Sequence, residues 1–509
     1  ARQRDALRRR GRFSDVVDLI LAETRGERHQ PTESAGALSL SRYYSAPGFD
    51  EAVLADCTAR PAHASVLGVL NELRPAELAA RAEQLSRRTA EAGVLFRPTD
   101  AKEARAFPLD IVPRILTGEE WSRLEGGTTQ RARALDAFLN DVYGERAIVR
   151  DGVIPAWLVE AAPGLRDAGR AAAPGARRTQ VCGFDIVRDA DGRWLVLEDN
   201  VRVPSGVGYA MQCRRLLTAT FPEFATLAEL LDVEQVPQLL RRTLEESAPP
   251  HAAGAPPTLL LLSEGRHDSA FFEHQMLAEA AGMLLATPAD LLVESDVLYQ
   301  VSERTRTRID VVYLRMDDSL WRHKGKDGRT LGPELLRAVK AGNLALANAL
   351  GNGVADDKAI YGYVPKLIDY YLHERPLLEQ VETLHCADPE QCAHVLAHLD
   401  ELVVKPVDGY GGLGVVIGPR ASDQELSAAR QLIEEQPSRW IAQPTISLST
   451  HPTWQQGHLE PRHVDLRVFV YYGREPVVAP AALTRVAAAG SLIVNSSRGG
   501  GAKDTWLLR

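Results

Sequence analysis

The chain has 509 residues, 45% of them hydrophobic and 25% charged, and a formal net charge of -9. That length predicts roughly two to four domains with sizeable cores, while the acidic balance excludes a general nucleic-acid surface. No apolar run is long enough to span a bilayer, so no membrane partner is expected.

Five cysteines, an odd number with no CxxC pair, predict reduced thiols and no disulfide frame or zinc site. The basic N-terminal stretch ARQRDALRRRGRFSD has no apolar h-region and does not read as a secretory signal. A cytoplasmic protein is the expectation. The thirteen histidines show no HExxH-like ligand spacing.

Residues 1–150 read as a mainly helical accessory region, with apolar residues at helical spacing over Pro61–Arg88 and Gln130–Tyr143. Residues 42–51, RYYSAPGFDE, form an aromatic, turn-rich loop in which packing of Tyr43 and Tyr44 is the default reading. The prolines of Arg105–Arg114 exclude a helix there, and Asp110 and Arg114 read as members of an internal ion pair. Gly164–Arg178, rich in Ala, Gly, Pro and Arg, reads as an exposed loop.

A hairpin follows within residues 151–248. Gly183–Val187 carries one carboxylate, Asp185; an Asp191-Gly192 turn comes next; and Leu195–Gly206 reads LVLEDNVRVPSG. Side chains alternate along a strand, so Glu198 and Asn200 share a face that Asp185 joins from the partner strand. Two carboxylates and an amide oxygen make a hard-cation site suited to Mg²⁺ held against a phosphate. A solvated hairpin face with chance acids is the plain alternative. Helices are predicted over Gly208–Phe221 and Gln235–Glu246, and Pro249–Pro257 reads as a linker.

Residues 258–350 alternate strands and helices: strands at Thr258–Leu262, Met283–Ala286, Val297–Val301 and Ile309–Arg315, and helices at Ser269–Gly282 and Leu335–Ala347. The order predicts a small α/β unit with a mainly parallel sheet. In residues 351–509, Asp356-Asp-Lys358 opens a helical run over Ala359–Leu372. Val404-Lys405-Pro406 ends a strand before a glycine loop containing Gly409, Gly411, Gly412 and Gly414. Backbone N–H groups of such a bare hairpin tip can close on phosphate oxygens, with Lys405 supplying charge. A structural turn is the alternative. Trp440–Pro444 places the amide of Gln443 at a strand end, and Asp465-x-Arg467, Arg485, Asn495 and Arg498 follow in apolar or glycine-rich settings. Structural ion pairs would account for such arginines one at a time; together they suit a triphosphate and a charged intermediate.

These segments resemble the ATP-grasp superfamily, with the metal-ligand piece Asp185 … Glu198-x-Asn200 … Pro204-Ser-Gly206 moved ahead of the nucleotide-binding pieces. The sequence is thus identified as a member of the circularly permuted ATP-grasp family, related to the amide-forming half of glutathionylspermidine synthetase. The match includes Pro108–Arg114, Asp356-Asp-Lys358, Val404-Lys-Pro406, Pro461–Arg467 and Val494–Trp506.

The resemblance implies a multidomain α/β and α+β protein, built from a permuted ATP-grasp fold, the small α/β unit and the helical N-terminal region. It implies ATP and two Mg²⁺ ions. Lys358 and Lys405 would hold the phosphates, Gly409, Gly411, Gly412 and Gly414 would form the lid, and Gln443 would meet the adenine. Asp185, Glu198 and Asn200 would hold metal, and Arg467, Arg485, Arg498 and Asn495 would serve the transferring phosphoryl group. Two departures stand out: Pro444 follows Gln443 where relatives place a ribose-binding Glu, and Pro480–Leu483 stands where glycines are usual. The implied activity is ATP-dependent ligation of a carboxylate to an amine through an acyl phosphate, on small-molecule or peptide substrates. A phosphotransferase on the same fold and a nucleotide-binding protein with decayed catalysis are the alternatives.

Overall fold

The computed structural model describes residues 40, 43, 48–96, 105–173, 175–250, 256–316, 318–407, 414–455, 457–492, 494 and 500–509. Its central feature, among those residues, is a seven-stranded sheet that draws on both halves of the chain. The hairpin strands Val181–Arg188 and Trp194–Asn200 pair with each other, and Val181–Arg188 pairs on its other side with His458–Tyr472. Pro476–Val486 and Gly501–Lys503 continue the sheet beyond it. Two stretches nearly three hundred residues apart (|i−j| = 282 for Asp185 and Arg467) are therefore direct strand neighbours.

Alternation along His458–Tyr472 sorts its side chains. Leu466, Val468 and Val470 enter the core beneath the helix Gly118–Tyr143, whereas Phe469 and Tyr471 join the core with the helices Val207–Thr220 and Val236–Glu246. Gly118–Tyr143 starts at a Thr117/Glu120 capping box, which satisfies orphan N–H groups of its first turn. Its Arg131 crosses to the sheet and pairs with Asp199 at 2.5 Å, both buried. The strand period leaves Glu198 and Asn200 for the opposite face.

The second sheet is four-stranded and wholly parallel, in the order Ala345–Ala347, Val311–Leu314, Leu259–Leu262, Leu284–Ala286. The expected parallel unit is present, with three differences. Val297–Val301 lies outside it, in an antiparallel sheet with Leu291–Glu294 and Arg306–Ile309. The Ile309–Arg315 stretch is split between the two sheets. The helix expected over Leu335–Ala347 instead spans Leu331–Lys340; the chain turns at Gly342, where φ is +71°, and re-enters the sheet as a strand. A small residue with positive φ supplies that break.

A four-stranded antiparallel sheet of Leu384–His385, Trp440–Pro444, Leu402–Pro406 and Val416–Ile417 carries the helices Pro389–Ala397 and Asp423–Glu435. Prolines also divide two predicted helices: Pro75 begins Pro75–Glu91 after Ala64–Glu72, and Val364–Leu372, with Pro365 in its first turn, follows Lys358–Tyr361. The loop expected to be exposed over 164–178 is half packed. Gly169, Ala171 and Arg178 are buried, and Arg178 donates to the Gly169 carbonyl while its guanidinium lies over the Tyr143 ring.

Candidate functional site

The hairpin register brings the predicted charges together. Asp185 lies opposite Glu198 on one side and Arg467 on the other, and Asp465 lies opposite Arg485. Arg467 grips Asp185 through two parallel bonds, Nε to Oδ1 at 2.5 Å and Nη2 to Oδ2 at 2.7 Å. Arg485 adds a third, Nη2 to Oδ2 at 2.8 Å, and holds Asp465 through Nε and Nη2. Burial opposes ionisation of Asp185, yet the two guanidiniums outweigh it and keep this carboxyl well below the usual carboxylate range. The i, i+2 spacing of Asp465 and Arg467 is what puts both on this face, and the role of Asp465 as a counter-ion of Arg485 was not drawn from the sequence.

Glu198 is engaged from the other half of the chain. Lys358 Nζ donates to Glu198 Oε1 at 2.7 Å. The segment around Lys358 is fixed by its neighbours: Asp356 accepts from the Val201 amide at 2.6 Å and from Arg202 Nε at 2.7 Å. Asp357 caps the helix Lys358–Tyr361 by accepting from the Ala359 amide. The Asp-Asp-Lys run thus sits against the end of the Glu198 strand.

Lys405 completes this side. Its Nζ donates to Gln443 Oε1 at 2.6 Å, and Gln443 passes the contact on from Nε2 to Thr383 Oγ1 at 3.0 Å. The Gln443 side chain is buried and engaged by the lysine, so in this arrangement it meets Lys405. Burial lowers the Lys405 ammonium to about 8; the charge of Glu198 raises it and that of Lys358 lowers it further. Glu198, Lys358 and Lys405 are therefore close enough to act on one another. Leu402–Pro406 pairs antiparallel with Val416–Ile417, so the strands flanking the glycine segment are direct neighbours. Gly414 has a φ of +74°, and a Cβ there would stand 3.2 Å from Pro406 Cγ. Gly409, Gly411, Gly412, Asn495 and Arg498 lie outside the described residues.

Asp110 and Arg114, read as an internal ion pair, are both buried but are paired with other residues. Lys503 pairs with Asp110 at 2.5 Å, and Arg114 takes both oxygens of Glu51, at 2.6 and 2.7 Å. Arg114 Nη1 also donates to the Asp465 carbonyl at 2.8 Å, linking this cluster to the backbone that carries Arg467.

A family model described as circularly permuted ATP-grasp type 2 matches residues 113–487. The chain belongs to that family. A Frankia casuarinae protein named "Putative glutamate--cysteine ligase 2-2" is 51% identical over 524 residues, covering 100% of this chain and 60% of its own. The chain thus spans about 60% of the Frankia relatives it matches. An uncharacterized Synechocystis protein is 42% identical over 93% of this chain and 99% of its own length. Among solved structures, a glutathione synthetase-like effector of Globodera pallida covers 86% of this chain and 98% of its own, at a TM-score of 0.56 and 11% identity, a likeness of fold.

ATP-grasp proteins generally use ATP and Mg²⁺, and the donor set here suits them. Glu198 and Asn200 offer oxygens on one strand face, and the Asn200 Nδ2, a donor that suits a phosphate oxygen, is buried with no hydrogen-bond partner. A buried amide of this kind is normally satisfied, and a bound ligand is one reason to leave it open. Asp185 fits less simply. Three charge-assisted bonds from arginines already occupy it, which leaves one lone-pair position on Oδ1 for a metal. Among the described residues no helix is long and apolar enough to cross a membrane.

Proposed function

We propose that this ATP-grasp protein is an ATP-dependent carboxylate–amine ligase that works through an acyl phosphate. One observation carries the reading. Glu198 of the hairpin meets Lys358 at 2.7 Å, beside Lys405, although 160 residues separate the first pair. Carboxylates suited to Mg²⁺ and lysines suited to phosphate are thereby close together, with two arginines on the neighbouring strands, which supports one shared nucleotide site.

In this reading the free protein neutralises itself. Lys358 is paired with Glu198, and Arg467 and Arg485 are paired with Asp185. Nucleotide phosphates would take up Lys358 and Lys405, while Glu198 and Asn200, with the remaining Asp185 position, would hold the ion. When bound, Mg²⁺ supplies charge neutralisation at the phosphate oxygens. Lys405, half-buried, would hold the phosphates as a point charge. Arg485 has a free Nη1 among the described residues and would meet the charge that develops during transfer. The substrate carboxylate would attack the γ-phosphate and release ADP, and an amine would then displace phosphate to form the amide. Exclusion of water from the site would protect the acyl phosphate from hydrolysis.

The proposal assigns residues 151–248 and 351–509 to the ATP-grasp core, 258–350 to the accessory α/β unit and 1–150 to a helical accessory region. An amino-acid or peptide acid and an amino-acid-like amine suit the names of the Frankia relatives, which describe whole chains longer than this match. Screening acids for ADP release in the presence of hydroxylamine tests the reading. A ligase yields a hydroxamate with its acid; ADP release with a phosphorylated acceptor and no hydroxamate marks a phosphotransferase and contradicts it.

A further inference from the structure

The four parallel strands of the small sheet end at Leu262, Ala286, Leu314 and Ala347. In open α/β sheets the crevice beyond the carboxyl ends, where the strand order reverses, is the usual place for a ligand. Here the reversal lies between Leu259–Leu262 and Val311–Leu314. The chain itself occupies that place.

Arg315, the first residue past its strand, donates Nη2 to the Val203 carbonyl at 3.1 Å and to Ser205 Oγ at 2.5 Å. Glu273, on the helix Phe271–Ala280, accepts at Oε1 from the Gly206 amide at 2.7 Å and the Gly208 amide at 2.8 Å. The two gripping side chains are buried: Glu273 is 1% exposed and Arg315 5%. His274 fixes the guanidinium. Burial and the Arg315 charge hold this imidazole well below its ordinary value, so it is neutral. Its Nε2 accepts from Arg315 Nε at 3.3 Å, which leaves Nδ1 to carry the proton and donate to Ser263 Oγ at 2.9 Å.

The gripped turn is tight by construction. Gly206 has a φ of +128°, and a Cβ there would come within 2.8 Å of Leu483 Cδ2; one at Gly208 would come within 2.9 Å of Glu273 Cγ. From this turn the Ser205 carbonyl accepts a bond from Arg467 Nη1 at 3.1 Å. Arg467 is thus held at two points, by Asp185 on the sheet and by a carbonyl whose own position the α/β unit sets.

We propose that Arg315 and Glu273 are positioning residues, which clamp the 203–208 turn so that the Ser205 carbonyl aims Arg467 into the nucleotide cleft. The α/β unit then serves the ATP-grasp site through this clamp. The inference rests on the reading of Arg467 as a phosphate-facing group.

A double-mutant cycle separates aiming from plain packing. Arg315→Lys keeps the charge and loses the planar two-point grip. Calorimetry with a non-hydrolysable ATP analogue and Mg²⁺ should show roughly tenfold weaker binding for Arg315→Lys when Arg467 is present, and less than about twofold weakening in an Arg467→Lys background. Equal losses in both backgrounds overturn the proposal.

A second measurement needs no nucleotide. In hydrogen exchange, Glu273→Ala should expose the Gly206 and Gly208 amides, and Glu273→Gln, which retains an acceptor oxygen, should restore most of the protection. Unchanged exchange in Glu273→Ala overturns the clamp while leaving the nucleotide reading intact. Failure of the unmutated protein to bind the analogue overturns that reading, and this role of Arg467 with it.

Discussion

Arg114 and Lys358 are both cations at short range from a carboxylate, Arg114 at 2.6 Å from Glu51 and Lys358 at 2.7 Å from Glu198. Their surroundings differ. The Arg114 and Glu51 side chains are 0% and 3% exposed, whereas Lys358 and Glu198 are 15% and 33% exposed. Glu51 also accepts from Ser449, and Arg114 also donates to the Asp465 carbonyl. Burial works against the Glu51 charge, but Arg114 and Arg188 overcome it and bring that carboxyl down to about 2. A pair so enclosed and so fully bonded can only hold structure. A pair open to water on one side can be exchanged for a ligand at little cost, because surface ion pairs contribute only about 0–1 kcal/mol. Under the proposed function, similar contacts serve opposite ends, and burial divides them.

The largest effects should come from breaking the enclosed pair. Arg114→Met leaves Glu51 buried without its two-point partner and should cost about 3–5 kcal/mol in urea unfolding. Adding Glu51→Leu should return most of that loss. In the cleft the order reverses. Glu198→Gln should remove ADP release, a loss on the order of a thousandfold or more, while unfolding changes by less than about 1 kcal/mol. Near-normal turnover of Glu198→Gln at saturating Mg²⁺ would sink the metal assignment.

Arg485 sits between the two classes. It is 8% exposed and binds both Asp185 and Asp465. Arg485→Ala should therefore lose stability and lower kcat together, where Lys405→Ala raises the KM for ATP and lowers kcat with the fold intact. Identical profiles for the two variants would erase the distinction.

The smallest expected effect is a pH dependence. With Lys405 lowered to about 8 in the free protein, phosphates would favour its protonated form and raise that value on binding. The bound state then holds more protons than the free state above pH 8, so nucleotide affinity should be full below that point and fall several-fold by about pH 9.5. A flat affinity profile from pH 7 to 9.5 would detach Lys405 from the phosphates.

The sequence made the cleft legible where strand period alone decides geometry. Glu198-x-Asn200 and Asp465-x-Arg467 share faces because side chains alternate, and the structure brings Asp185, Glu198, Arg467 and Arg485 to one sheet face. What alternation cannot supply is the partner. Asp199 lies between two candidate ligands and belongs to Arg131 on the opposite face. Asp185 reads as a bare oxygen donor, yet its arginine arrives from a strand with |i−j| = 282. The role of Glu273 was not drawn from the sequence either, because its partners are backbone amides 65 and 67 residues away in sequence. Local pattern gave three of the four strands of the small sheet, with Ala345–Ala347 taken into a helix, and the departure of Val297–Val301 into its own antiparallel sheet depends on pairing that no local pattern records.

Under the proposed function, the site's own ion pairs stand in for Mg²⁺ and nucleotide phosphate and give way to them together. Calorimetry with Mg²⁺ alone, a non-hydrolysable ATP analogue in EDTA, and both together measures this directly. The account predicts weak binding of each alone and at least about tenfold tighter binding of each in the presence of the other, since both partners of a pair must be released at once. That coupling should vanish in Glu198→Gln. Equal affinity of the analogue with and without Mg²⁺, or a coupling unchanged in Glu198→Gln, would contradict it.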